Sequence, residues 1–350
     1  MIENTVYRKS LVRVIPDIAI HDGKVLVTGA SGLIGSCIVD LLLLSNDYGR
    51  RFDVYALGRN TEKLKNRFKA YVNSTHFHVI EQDIRKPIDN SISFDYIFHG
   101  ASNADPRNYA LYPVETMLIN MEGATNILNY CKSHPETKVL MMSTFEVYGN
   151  SGKDVYEETD CGILDINKLR SCYPESKRCV EVLTHSYIDE YQVNAVIGRL
   201  SSIYGPTMAK DDSKAHAQFI RNGLSGEDIV LKSKGEQRRT YCYLIDAVTG
   251  LLCVLANGTV GKAYNIANEN AIVSIAEVAQ TVANISGTKV IMQVPDDMEK
   301  KGYSSPQNCI LNNTMLKSLG WNGHYDISKG IKECLDILGE ERQNDSYKAV

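Results

Sequence analysis

The sequence predicts an α/β protein: a parallel sheet wound on both faces by helices, with a smaller C-terminal lobe. Three observations predict it. Short β-branched runs alternate with longer apolar-periodic segments along most of the chain. A glycine-rich turn joins the first such run to the first helix. From about residue 205 the alternation loosens into "YGPTMAKDDSKAHAQFIRNGLSGEDIVLKSKGEQRRT". Strands separated by helices favour a parallel sheet, because each parallel crossover needs a helix-length connection.

Taken in order, residues 1–22 form an extension with no assignable role, whose default place is against the sheet edge. "KVLVTGA" then reads as a strand and "SGLIGSCIVDLLLLS" as an apolar helix. "DVYAL" and "FHVIEQD" read as strands, and "YIFHGAS" as a buried one. "PVETMLINMEGATNILNYCKS" follows as a helix and "KVLMMST" as a strand. "PESKRCVEVLTHSYIDEY" is helical, with Val180, Leu183, Tyr187, Ile188 and Tyr191 at near-helical spacing, and "NAVIGRLS" is a further strand. Pro174 fits a first helical turn, where a missing N–H costs nothing.

Composition narrows the function. The 350 residues are 43% hydrophobic and 23% charged, an ordinary globular balance. A formal charge of -4 with no dominant basic run argues against nucleic acid. "IVDLLLLS" is too short to span a bilayer, and the N-terminus lacks a signal-type apolar core, so a cytoplasmic protein with no membrane partner is expected. The nine cysteines include no C-x-x-C pair and the eight histidines no ligand spacing; reduced thiols and no metal are expected.

Chemistry begins at "TGASGLIG". Gly29, Gly32 and Gly35 follow a strand and open a helix, with Leu33 and Ile34 in its first turn. Glycines there let the backbone approach a pyrophosphate, and the helix N-terminus offers free N–H groups. A Rossmann-like dinucleotide domain is therefore expected over residues 23–204 plus about 240–268. A substrate lobe is expected over about 205–239 plus 269–340, and a tail over 341–350. At the end of the second strand, "YALGRN" has Gly58 and Arg59 where an acidic residue would hold the ribose of NAD, which leaves NAD or NADP open. Asp83 is a candidate for the adenine amino group or a capping aspartate. Ser143, Thr144 and Glu146 end another strand. Tyr173 and Lys177 lie four apart on a helix, where the ammonium could favour the ionised phenol.

The glycine triplet, the hydroxyl-bearing strand and Y-x-x-x-K together resemble the extended short-chain dehydrogenase/reductase family, whose members mostly remodel nucleotide sugars. Within it, "RSCYPESKR", "YGPTMAKDD" and "GEQRRTYCYLIDAVTGLL" look most like the UDP-glucuronate decarboxylases. The similarity runs from about residue 24 to about 335. The resemblance implies Tyr173 as base, Lys177 lowering its pKa and binding the nicotinamide ribose, and Thr144 on the reacting hydroxyl. It implies a cofactor site including Ile84, Ala101 and Asn120, and a substrate site including Ser102, Ser202, Arg239 and Lys301. A guanidinium at 239 would bind diphosphate or carboxylate bidentately, or else form a surface cluster with Arg238. The resemblance further implies a UDP-sugar substrate and a homodimer formed through the helix after "PVETM" and the helix carrying Lys177.

Three reactions share a first oxidation at sugar C4. Family dehydratases carry Asp and Glu after the threonine, and Phe145 stands at the Asp position, where it cannot protonate a leaving hydroxyl. A 4-epimerase would leave Glu146 without a task. Decarboxylation uses the C4 ketone as electron acceptor and gives Glu146 and Arg239 work on the carboxylate, although relatives have serine at the Phe145 position. Decarboxylation is the expectation, epimerisation the alternative, and a non-catalytic dinucleotide sensor the remaining possibility.

Overall fold

Seven parallel strands make the sheet that carries the site. The computed structural model describes residues 1–293 and 308–348. In chain order its elements are α1 (Thr5–Arg13), β1 (Gly23–Thr28), α2 (Leu33–Asn46), β2 (Phe52–Gly58), α3 (Thr61–Arg67), β3 (Phe77–Glu81) and β4 (Tyr96–His99). Then come α4 (Pro106–Leu111), α5 (Pro113–Ser133), β5 (Lys138–Thr144), β6 (Val155–Tyr156), α6 (Cys172–Tyr191), β7 (Ala195–Leu200) and β8 (Ser202–Tyr204). The remainder is α7 (Ala215–Leu224), β9 (Ile229–Leu231), β10 (Arg238–Tyr243), α8 (Leu244–Asn257), β11 (Ala263–Ile266), β12 (Ile272–Ser274), α9 (Ile275–Ser286), β13 (Val290–Met292), β14 (Ile310–Leu311), α10 (Thr314–Ser318) and α11 (Ile327–Lys348).

The sheet order is β3-β2-β1-β4-β5-β7-β11, with every pair parallel. Its order reverses between β1 and β4, and the crevice beyond the carboxyl ends there is where such sheets take ligands. Strand parity explains the two cores. Leu26, Ile97, Val139, Met141 and Ile197 pack with Ile119, Ile127 and Val180 of α5 and α6. Val25, Val27, Phe98, Leu140 and Val196 face α2 and α8 on the other side. Because both faces are covered, β1 and β5 are nearly continuous apolar runs.

After β7 the chain builds the lobe: a three-stranded sheet β12-β10-β8, the pair β9 and β13, and helices α7 and α9 closed by α11. α8 and β11 return to the main sheet. The pair β6 and β14 ties a mid-chain excursion to the lobe. Among the described residues no helix is long and apolar enough to cross a membrane.

The extension lies elsewhere than expected. Its helix α1 packs on α2 and α11, not on the sheet edge. Asn4 caps α1, accepting from Tyr7 N, while its own amide donates to the Ile337 carbonyl at 2.9 Å. The Tyr7 hydroxyl donates at 3.0 Å to Asp40 of α2, a wholly buried carboxylate also paired with Arg67 at 2.5 Å. Arg13 lies over the Tyr325 ring and bridges to Glu333 at 3.3 Å, and His324 meets Asp17 at 2.9 Å. An amphipathic segment with buried Tyr7 and Leu11 finds more apolar surface between two helices than along one strand. Of the stretch expected as a tail, residues 341–348 belong to α11.

Candidate active site

The glycine turn divides its labour by position. Gly29 has φ +67°, and a Cβ on it would stand 2.8 Å from the Gly100 carbonyl oxygen. A Cβ on Gly35 would meet the Gly29 carbonyl oxygen at 2.5 Å, so this glycine sets how closely α2 sits on β1. Gly32 is different. A Cβ there meets only the Gly29 oxygen, at 3.2 Å, so its other side is open to an approaching pyrophosphate. Gly32 caps α2 without a side chain, and the first-turn N–H groups of Leu33 and Ile34 have no intrahelical acceptor. The turn is fastened from behind by the Thr28 hydroxyl, which accepts from Gly100 N and Ala101 N at 3.1 and 3.2 Å and meets His99 Nδ1 at 3.0 Å. Burial, with Lys177 nearby, pushes the His99 pKa down to about 3, so this imidazole stays neutral.

At the adenosine end, Arg59 is exposed and close enough to help hold Asp83 ionised. The main hold on Asp83 is Arg85, which grips both carboxylate oxygens at 2.7 and 3.1 Å, lowers the pKa to about 2, and reaches Glu115 at 3.1 Å. Asp83 is therefore already committed to Arg85, a partner the sequence did not announce. Ile84 is buried, and its carbonyl accepts from Asn126 at 2.9 Å, fixing this loop on α5.

The reactive cluster gathers at the carboxyl ends of β5 and β4. Thr144, the last residue of β5, begins a tight helical turn over Phe145–Tyr148 and accepts from Glu146 N at 3.3 Å. Tyr173 is buried in the first turn of α6. Burial raises its phenol well above the ordinary tyrosine value and Glu146 raises it further; the Thr144 hydroxyl bonded to it and Arg170 pull it down. Behind them Lys177 is buried and donates to the Met142 carbonyl at 2.9 Å. Burial brings its pKa down to about 8 against the opposing pull of Glu181. Lys177 was expected to act on the phenol; its ammonium here is bonded to the main chain. The charges acting on Tyr173 are Glu146 and Arg170, whereas the ammonium lies on the main chain of β5, near His99 and Glu181. Ser143 turns the other way, donating to Glu181, which Arg199 holds at 2.7 Å.

Two further residues belong to this cluster. Arg170 bridges to Glu146 at 2.7 Å and places its guanidinium 4.5 Å from the ring centre of Tyr109, and Tyr109 stacks on Tyr173 at 5.2 Å and 17°. Arg170 was visible as the first letter of "RSCYPESKR", three residues before the tyrosine; nothing in "DPRNYALYP" marks Tyr109.

The sequence candidates for substrate are only partly gathered. Arg239 of β10 is half-buried and stands 6.0 Å from the Phe145 ring, while Arg238 is exposed and donates to the Ile272 carbonyl. The two arginines thus do not form one surface cluster. Ser102 carries a buried hydroxyl with no hydrogen-bond partner among the described residues, beside the fastened turn at Ala101. Ser202 starts β8 and pairs with Tyr241. Lys301 lies outside the described residues. Asn120 ties α5 to α6 through Ser176 at 2.8 Å, and its buried Oδ1 has no partner among the described residues. An open face at Gly32 and an unmatched acceptor at Asn120 fit a dinucleotide lying along the crevice. A cavity of about 640 Å³ lined by Arg8, Arg50 and His76 lies at the amino end of the sheet and shares no residue with this cluster; chemistry, not volume, locates the site.

A model of the NAD dependent epimerase/dehydratase family matches residues 25–267. The chain is 31% identical over 311 residues to UDP-glucuronic acid decarboxylase 5 of Arabidopsis thaliana, covering 88% of this chain and 87% of that one. It is 32% identical over 335 residues to UDP-glucuronic acid decarboxylase 2 of the same plant, covering 93% and 72%. Among solved structures, UDP-glucuronic acid 4-epimerase from Bacillus cereus, in complex with UDP-glucuronic acid and NAD, shares the fold with a TM-score of 0.73 and 22% identity. It covers 91% of this chain and 99% of its own.

Proposed function

Because the chain belongs to the NAD dependent epimerase/dehydratase family, we propose that it is a decarboxylase of UDP-glucuronate, acting through a 4-keto sugar and giving UDP-xylose and carbon dioxide. The observation that carries the reading is the pocket in which Thr144, Glu146 and Tyr173 converge, with Arg239 across Phe145. The names of the relatives point the same way.

NAD, when bound, supplies the acceptor that turns the C4 alcohol into a ketone and the donor that later reduces it. The Gly32 face and the first turn of α2 would hold its pyrophosphate, and Lys177 and Asn120 its nicotinamide half. Tyr173 takes the proton of the C4 hydroxyl while Thr144 fixes that hydroxyl. Once C4 is a ketone, the C5–C6 bond can break with its electrons moving towards the C4 oxygen, and Tyr173 and Thr144 stand where that oxygen gathers charge. Arg239 orients the departing carboxylate, and Glu146 directs a proton to C5. Arg59, exposed where an acidic residue would meet the ribose, leaves room for NADP, and competition binding measures the preference. Exposed Val114, Met117 and Leu118 on α5, with Val182 and Tyr191 on α6, support a homodimer through these helices, which sedimentation tests.

The test is incubation of the purified protein with UDP-glucuronate, read by mass. Carbon dioxide with a UDP-pentose is expected; absence of carbon dioxide, UDP-pentose and UDP-4-keto-pentose ends the substrate assignment. Phe145, an apolar ring beside Arg239, favours one alternative, a nucleotide-sugar 4-epimerase, which would interconvert sugars without change of mass.

A further inference from the structure

We propose that Arg170 is a positioning residue for Tyr173, acting through two contacts at once: an ion pair that compensates Glu146, and a guanidinium face that holds Tyr109 flat against the Tyr173 ring. The proposal deepens the reading of this pocket and rests on it only for the identity of the substrate.

The geometry is a continuous stack. Arg170 sits 4.5 Å from the Tyr109 ring centre, Tyr109 lies 5.2 Å from Tyr173 at 17°, and the same guanidinium reaches Glu146 at 2.7 Å. Each layer comes from a different segment. Glu146 comes from the turn after β5, Tyr109 from α4, and Arg170 from the residues leading into α6. α4 is itself pinned to the lobe, because its capping Asp105 accepts from Ser213 N and Oγ at 3.0 and 3.1 Å. Cations stack well on tyrosine faces, and a planar guanidinium can do so while keeping a carboxylate bond in its own plane. A lysine would keep the charge and lose that geometry.

The functional consequence is electrostatic. Tyr173 works as a base only when ionised. The charged groups that act on it are Glu146 from the β5 turn and Arg170 from the α6 lead-in, with Asp105 behind Tyr109 on α4 and Lys177 one turn along α6, bonded to the Met142 carbonyl. A carboxylate beside a phenol opposes its ionisation, and an adjacent guanidinium restores it. Without Arg170, Glu146 would act on Tyr173 uncompensated. Glu146 can thus stand in the pocket for chemistry on the sugar because Arg170 keeps its charge from disabling the base.

The experiment is a charge-cancelling cycle read on Tyr173 itself. Protein carrying [ζ-13C]tyrosine is loaded with NAD and titrated by NMR, the Tyr173 resonance being assigned by its loss in Tyr173→Phe. The expected order of midpoints is Glu146→Gln lowest, wild type and Arg170→Met/Glu146→Gln together, and Arg170→Met highest, with single variants displaced by about one pH unit or more. Arg170→Lys keeps the midpoint near wild type, while its Tyr109 ring resonances change as the stack loosens. Any other order overturns the proposal, as does Arg170→Met titrating with wild type. Because this readout needs no turnover, failure of UDP-glucuronate as substrate is a separate result. If a nucleotide sugar is turned over, the acid limb of its pH–rate profile, where Tyr173 gains its proton, must move in the same order.

Discussion

Replacing Lys177 by Met tests the burial of the ammonium through stability. Lys177 is 5% exposed, and its pKa falls from an ordinary 10.5 to about 8 because burial penalises the charged form. At about 1.4 kcal/mol per pKa unit, holding the ammonium at neutral pH costs the fold about 3 kcal/mol. The substitution also removes the donor to the Met142 carbonyl, a loss of about 1–3 kcal/mol that does not vary with pH. The informative quantity is therefore the pH dependence of the difference between the two proteins. Between the folded value near 8 and the unfolded value near 10.5 the unfolded chain binds more protons, so wild-type stability rises with pH across that window. The Met variant lacks this contribution. Urea unfolding at intervals from neutral pH to beyond the unfolded value should show wild type gaining about 3 kcal/mol on the variant. Parallel stability curves would refute the reasoning, since they would mean that the ammonium reaches water in the folded protein.

Gly35→Ala should lose about 3 kcal/mol or more in thermal or urea unfolding, because its methyl would press on a main-chain oxygen at 2.5 Å. Gly32→Ala should keep its stability and weaken NAD binding in calorimetry. Arg67→Met strands the buried Asp40 carboxylate and should cost about 3–5 kcal/mol in urea unfolding, with Tyr7 fluorescence or amide exchange in α1 reporting release of the first helix. Under native conditions a thiol reagent should find Cys161 and Cys179 fast and Cys309 more slowly, leaving the six buried cysteines until unfolding.

Legibility followed the range of the signal. Local signals carried the strands and long helices: a buried parallel strand announces itself as an apolar run, and the helix Pro113–Ser133 is bounded in the sequence by Pro113 and the polar "CKSH". The glycine spacing worked because Gly35 answers to the Gly29 carbonyl oxygen only six residues away. Pairings across long sequence separation were silent. Arg170 finds Glu146 only once β5 and α6 lie side by side, and Tyr109 reaches Tyr173 across an entire helix and strand. The acceptor of Lys177 was silent for a similar reason: helical spacing places it one turn from Tyr173, but a long flexible side chain also reaches acceptors from other segments, here the Met142 carbonyl. The first helix stayed without a role because the partners of Asn4, Arg8 and Arg13 lie on or beside α2 and α11, far along the chain.

That first helix also sets an order of events during synthesis. The amino group of Met1 stands 3.8 Å from Glu341, and Asn4 and Arg13 bind residues on or next to α11. A ribosome that has released everything before Ile327 holds a chain whose first helix can meet Asp40 and Tyr325 but has neither the Ile337 carbonyl for Asn4 nor Glu333 for Arg13. The first helix is fully held only once α11 has emerged.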